Sequence, residues 1–159
     1  MRLDLVSRSV EETASLGARL GTKLKGGEVI AVSGPLGAGK TSFVKGVGQG
    51  LNLQPEEMIS PTFILRAEYY GKLPLAHIDL YRLNDEDEIG KLGLFEQEDP
   101  RTVLIIEWPE RAESLLPAER MDISIAPLEG TCRRLSFGTA GRGLDYLLEG
   151  LKTDDAKKN

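Results

Sequence analysis

The stretch Glu28-Val-Ile-Ala-Val-Ser-Gly-Pro-Leu-Gly-Ala-Gly-Lys-Thr-Ser-Phe43 constrains this chain more than any other. Val29, Ile30 and Val32 form an apolar, β-branched run that reads as a short buried strand. Gly34-Pro-Leu-Gly-Ala-Gly-Lys-Thr41 then fits G-x-x-x-x-G-K-[ST], and Phe43, Val44 and Val47 continue at helical spacing. Strand, glycine turn and helix in that order are the setting of a phosphate-binding loop. Glycines let the backbone curl without Cβ clashes, so that successive N–H groups converge on one point. The helix that follows adds its unpaired first N–H groups and the positive end of its dipole. Gly34, Leu36, Gly37, Ala38, Gly39, Lys40, Thr41 and Ser42 are therefore the candidate phosphate contacts. Lys40 is expected to bridge β- and γ-phosphates as a solvent-facing loop residue, and the Thr41 hydroxyl to ligate Mg²⁺. The same glycines could also serve a turn that merely joins strand to helix. The flanking pattern favours the phosphate reading.

At 159 residues the chain fits a single domain, residues 1–159, with one substantial core. A net charge of −5 argues against a broad basic nucleic-acid footprint and leaves room only for a local patch. One cysteine, Cys132, excludes an intrachain disulfide and a cysteine-rich metal site; it reads as a half-buried strand residue. The N-terminus lacks a long apolar segment and no 18-residue apolar run occurs, so a cytoplasmic protein without a membrane span is expected.

Leu3, Leu5 and Val6 suggest a first strand. Ser9 and Glu12 have capping-box spacing, and Val10, Ala14, Gly17, Leu20 and Leu24 predict an amphipathic helix over 10–24, closed by Gly26-Gly27. The helix after Lys40 should reach about Gln49. After a loop over 51–61, strands at 63–70 and 74–81 are separated by a short Gly/Pro turn, which favours a hairpin. Asn84 to Glu88 reads as an acidic helix start, and Thr102-Val-Leu-Ile-Ile-Glu107 as a central parallel strand. A short helix over 109–115, strands at 123–126 and 134–137, a closing helix over 140–150 and a frayed tail over 153–159 complete the expectation. The fold class is α/β: a P-loop NTPase-like sandwich with a mostly parallel central sheet, added antiparallel strands and helices on both faces.

A P-loop needs carboxylates at the ends of neighbouring strands to manage Mg²⁺ and its waters. Period-two alternation in Ala76-His-Ile-Asp-Leu-Tyr81 places His77, Asp79 and Tyr81 on one face. Glu107 closes the most apolar strand, where ligands bind in open α/β sheets. Alone it could merely mark a strand end; beside a P-loop it reads as a metal- or water-handling group. Thr62 reads equally as a γ-phosphate sensor in a switch loop with Ser60 and Pro61 and as an ordinary turn residue. His77, Tyr81 and Trp108 are expected to pack beside the site. No Asn-Lys-x-Asp or Thr-Lys-x-Asp motif for guanine is present, nor the Leu-Ser-Gly-Gly-Gln of transporter ATPases.

Gly34 to Thr41, Ser60-Pro-Thr-Phe63, His77-Ile-Asp-Leu-Tyr-Arg82 and Ile106-Glu-Trp108 occur in one order, supported by Glu88 with Leu92-Gly93 and by Leu116-Pro117. Together they resemble the TsaE family (older name YjeE) over nearly the whole chain. The resemblance implies an ATPase, with ATP and Mg²⁺, that acts with TsaB–TsaD proteins in threonylcarbamoyladenosine formation on ANN-reading tRNAs. It touches tRNA indirectly at most. It further implies that Leu36 to Thr41 hold the phosphates, that Glu107 is a second metal or water-positioning carboxylate and Asp79 a Walker-B-like acid. Ser60 to Phe63 would form the switch-like loop, and Thr13 would lie near the base. The family's C-terminal arginine does not align uniquely, so Arg133 and Arg134 are both candidates, and Pro35 replaces an acidic residue common in the family's loop. Since no arginine finger is assignable, low intrinsic turnover and partner activation are expected. The alternatives are a nucleotide-gated binding module and a P-loop small-molecule kinase.

Overall fold

In the computed structural model, which describes residues 1–157, the chain runs through β1 (Arg2–Ser7), α1 (Val10–Lys23), β2 (Val29–Ser33), α2 (Lys40–Gly50), β3 (Arg66–Tyr70) and β4 (Pro74–Asp79). It continues through α3 (Glu86–Leu92), β5 (Val103–Glu107), β6 (Met121–Pro127), β7 (Arg133–Thr139) and α4 (Asp145–Lys157). The described strands share one sheet in the order β1-β7-β6-β2-β5-β4-β3. β6, β2, β5 and β4 are mutually parallel; β7 and β1 on one flank and β3 on the other pair antiparallel. This is the expected α/β architecture.

Burial explains the layering. Val29 to Val32 and Val103 to Ile106 are buried on both faces, as central parallel strands require. One core packs Leu16 and Leu20 of α1, Phe43, Val44 and Val47 of α2, and Leu147, Leu148 and Leu151 of α4 against β2 and β5 to β7. A second core, under Ile89 of α3 and Ala112, takes Ala76, Ile78, Leu80, Leu104 and Ile106 from the opposite face. That second face is covered only over part of the sheet. In β6 and β7 the alternate residues Asp122, Ser124, Ala126 and Arg134 are exposed.

The contact between α1 and α2 is made through glycine. A methyl group at Gly17 would strike the Phe43 carbonyl, at Gly21 that of Val47, at Gly46 that of Ala14 and at Gly50 that of Ala18. The two backbones therefore touch directly, and this offsets the roughly 0.5–1 kcal/mol that each mid-helix glycine costs. It also turns α1: the buried set is Thr13, Leu16, Gly17, Leu20 and Gly21, while Val10, expected on the apolar face, is exposed. Ser9 caps α1 by accepting from Glu12 N–H at 3.0 Å, and Glu12 accepts in return from Arg8 N–H at 2.6 Å.

Several boundaries differ from the sequence reading, each for a local reason. β3 begins at Arg66 rather than 63, because Leu65 N–H donates to the Pro61 carbonyl at 2.6 Å and Leu65 is left-handed, with φ 68°. β4 ends at Asp79 rather than 81: the Asp79 carboxylate accepts Tyr81 N–H at 2.9 Å and turns the chain. The 109–115 segment is 3₁₀, interrupted at Ala112. The closing helix starts at Asp145, not 140, and continues to Lys157, so 153–157 is helix and not frayed tail; 158 and 159 lie outside the described residues. Buried Leu147, Leu148 and Leu151 anchor it, and the Arg19 guanidinium donates to the Leu151 carbonyl at 2.8 Å.

Candidate functional site

At the carboxyl ends of β2, β5 and β4 the chain leaves the sheet through Gly34, Trp108 and Leu80, side by side, the place where open α/β sheets build sites. Gly34, Gly37 and Gly39 all have positive φ (150°, 76° and 106°), and a Cβ at Gly34 would lie 2.6 Å from the Ile125 carbonyl oxygen. Gly39 is the N-cap of α2, and no side chain caps it, so the first-turn N–H groups stay open toward the loop.

Lys40 departs from expectation: it is 5% exposed, a buried residue of the first helical turn rather than a solvent-facing loop residue. Helical side chains point back toward the N-terminus, and here the ammonium is carried under the glycine loop. Nζ donates to the carbonyls of Gly34 at 2.5 Å and Pro35 at 2.9 Å and lies 4.4 Å from the centre of the Trp108 ring. Burial pushes Lys40 below the ordinary lysine range, against the opposing pull of the carboxylates of Glu107, Glu110 and Asp79.

Asp79 and Glu107 stand opposite each other in the β4–β5 register, and Glu107 also pairs with Val32 of β2. Both are buried, on the sheet face that carries α2. The alternation expected for β4 holds: Ile78 and Leu80 enter the other core, while His77 and Asp79 face the loop side. His77 Nε2 lies 2.5 Å from Glu107 Oε2. Asp79 Oδ2 accepts from the Thr62 hydroxyl at 2.9 Å, and Thr62 in turn shares a hydrogen bond of 2.9 Å with the Ser60 hydroxyl. The carboxylate thus ties the Ser60-Pro61-Thr62 loop to the sheet. Trp108, left-handed at φ 58°, places its ring 5.0 Å from that of Tyr81.

These groups converge on a cavity of about 450 Å³. Of the residues singled out in the sequence, Thr13, Leu36, Gly37, Gly39, Lys40, Thr41, Ser42, Ser60, Thr62, Asp79, Tyr81, Glu107 and Trp108 line it. Gly34, Ala38, Pro61 and His77 do not; Gly34 and Ala38 contribute carbonyls that hold Lys40 and Arg133, and His77 stands behind Glu107. Arg134 is a correction. It shares the exposed sheet face with Asp122 and Ser124, whereas Arg133, on the face of buried Leu135 and Phe137, lines the cavity. Arg133 Nε donates to the Ala38 carbonyl at 3.0 Å and Nη2 to that of Gly37 at 3.4 Å. Period-two reading outward from Leu135 would have found it. Val10 and Thr131 also line the cavity; helical spacing counts Val10 in the apolar pattern of α1, and no sequence signal marks Thr131.

The donor set suits Mg²⁺. Thr41, Asp79 and Glu107 offer hard oxygens at one cavity wall, and Mg²⁺ is usually held by one or two carboxylates with phosphate oxygens completing the shell. Among the described residues no group of three His, Cys, Asp or Glu forms a metal cage, so phosphate would have to complete it. A larger cavity, about 590 Å³, lies at the other end of the sheet beside Pro74, Glu96 and Thr102 and has no glycine loop in its wall. No helix among the described residues is long and apolar enough to cross a membrane.

Residues 7–135 match the family described as "Threonylcarbamoyl adenosine biosynthesis protein TsaE". The chain is 43% identical over 131 residues to the "tRNA threonylcarbamoyladenosine biosynthesis protein TsaE" of Treponema pallidum, covering 82% of this chain and 96% of the relative. It is 38% identical over 150 residues to the Bacillus subtilis protein of the same name, covering 94% and 93%. Its backbone is similar to the crystal structure of Bacillus subtilis YdiB, with a TM-score of 0.82 at 32% identity, covering 98% of this chain and 97% of that one. With the family matched over most of its length and a P-loop fold shared with a solved relative, this chain belongs to the TsaE family.

Proposed function

We propose that this chain is a Mg²⁺-dependent ATPase that acts in the cytoplasm with TsaB–TsaD-like proteins in threonylcarbamoyladenosine formation on tRNA. The observation that carries the reading is the convergence of Lys40, Thr41, Asp79 and Glu107 with the open N-terminus of α2 on one cavity. The names of its relatives supply the pathway.

In this reading the N–H groups of Leu36 to Thr41 cradle the phosphates of ATP, and Lys40 Nζ exchanges the Gly34 and Pro35 carbonyls for β- and γ-phosphate oxygens. The Thr41 hydroxyl directly and the Glu107 carboxylate through a water would hold Mg²⁺, which would supply positive charge to the phosphoryl oxygens. Glu107 orients the attacking water and accepts its proton as the new bond to γ-phosphorus forms and the bond to the β–γ bridging oxygen breaks. Asp79 holds Thr62, so that the switch loop reports on the γ-phosphate. That same Thr62–Asp79 bond supports a second reading, a nucleotide-gated binding module in which hydrolysis only resets the assembly.

The test is phosphate release from ATP, alone and with TsaB and TsaD proteins added; release without a phosphorylated acceptor also argues against a kinase. Glu107→Gln should keep ATP binding and lose phosphate release by about 10²–10⁴-fold. Unchanged release by the folded variant overturns the assignment. If Glu107→Gln loses release yet supports tRNA modification at the wild-type level, the gated-module reading replaces that of the ATPase.

A further inference from the structure

His77 is the only histidine in the chain and is 3% exposed. In the sheet it sits between Ala67 of β3 and Ile105 of β5. An apolar β-branched residue would suit that position, and burying a polar ring there is costly unless it is hydrogen-bonded. The ring does have one partner. Nε2 reaches diagonally past Ile105 to Glu107 Oε2 at 2.5 Å, while Nδ1 is buried with no partner among the described residues. A carboxylate only accepts, so the hydrogen of this bond sits on Nε2. Glu107 needs such a partner. It ends β5, its neighbour Trp108 turns the backbone left-handed, and among the described residues no other side chain donates to its carboxylate.

We propose that His77 is a positioning residue. Through its Nε2–H it holds Oε2 of Glu107, which fixes the carboxylate and leaves the other oxygen for the cation or the attacking water. The inference rests on the reading of Glu107 given above. It assigns His77 no contact with nucleotide, in keeping with its absence from the cavity wall.

The single histidine makes the first measurement unambiguous. In the ¹⁵N-labelled full chain, long-range ¹H–¹⁵N correlation should report hydrogen on Nε2; an Nε2 without hydrogen overturns the proposal. The second measurement compares His77→Gln, whose amide nitrogen falls near Nε2 and can donate, with His77→Leu, which fills the space and cannot. His77→Leu should bind ATP within about threefold of wild type while kcat falls about 10–100-fold and the Mn²⁺ concentration for half-saturation, read by electron paramagnetic resonance, rises by a similar factor. His77→Gln should recover kcat to within about fivefold. A folded His77→Leu with normal kcat, or a His77→Gln as impaired as His77→Leu, overturns the proposal. Should His77→Leu not fold, His77→Gln and the hydrogen on Nε2 decide. Glu107→Gln is run alongside: normal phosphate release there fails the reading of the site itself, whereas a defect there with none in His77→Leu fails this inference alone.

Discussion

Adjacent arginines show how much one residue of register decides. Arg133 and Arg134 differ by a single position, yet the pleat of β7 sends the first to the glycine loop and the second to the uncovered sheet face. The first braces two loop carbonyls from a hairpin nearly a hundred residues away, since Arg133 and Ala38 are separated by 95 positions. Arg133→Ala should therefore weaken ATP binding about tenfold or more, in line with the worth of hydrogen bonds to charged groups. Arg134→Ala should leave it within about twofold, with isothermal titration calorimetry as the check. Equal losses in both variants would show that position on β7 is irrelevant. Lys40 makes a related point. The Gly-Lys-Thr motif marks Lys40 as the candidate phosphate ligand, but not that its ammonium is stowed on two backbone carbonyls beneath Trp108.

At the level of elements, the contact of α1 with α2 sets backbone against backbone, because four glycines present no side chain there. Gly46→Ala would force a methyl group into the Ala14 carbonyl, an overpacking that should destabilise by about 1–3 kcal/mol and lower the thermal midpoint. Gly138→Ala is the control. A Cβ there meets nothing within 4 Å, and the change should be neutral or stabilise by up to about 1 kcal/mol. Equal midpoints for the two variants, measured by calorimetry, would contradict this account of the interface. The same contact explains a misread face. Hydrophobic periodicity weighs Val10 and Leu24, but carbonyls meeting glycines decided the rotation of α1, and glycine carries little weight in such a pattern.

For the whole molecule, what was legible followed from local chemistry. The capped start of α1, the apolar runs of β2 and β5, the β3–β4 hairpin and the glycine turn before α2 each depend on neighbours in sequence. What was not legible depends on which distant segments meet. The strand order brings the β6–β7 hairpin over the glycine loop and so adds Thr131 and Arg133 to the cavity, and it sets His77 against Glu107 across 30 positions. Alternation placed His77 and Asp79 on the correct face, but could not say that His77 would meet the carboxylate of the next strand and Asp79 the hydroxyl of Thr62.

The glycine contact between α1 and α2 also divides the cavity mechanically. Thr13 rides on α1 and Lys40, Thr41 and Ser42 on α2, so backbone-to-backbone packing makes this side an anvil that cannot shift without parting the helices. The opposite side hangs on few bonds: Thr62 on Asp79, and Ile59 on the Tyr69 hydroxyl, with Phe63 and Ile64 exposed. The 58–65 segment is then where a response to nucleotide is expected. Amide hydrogen exchange should accordingly slow over 58–65 on adding ATP with Mg²⁺, while the middle of α1 and α2 exchanges at the same low rate in both states. A nucleotide-dependent change along the shared glycine seam would mean that the anvil moves too.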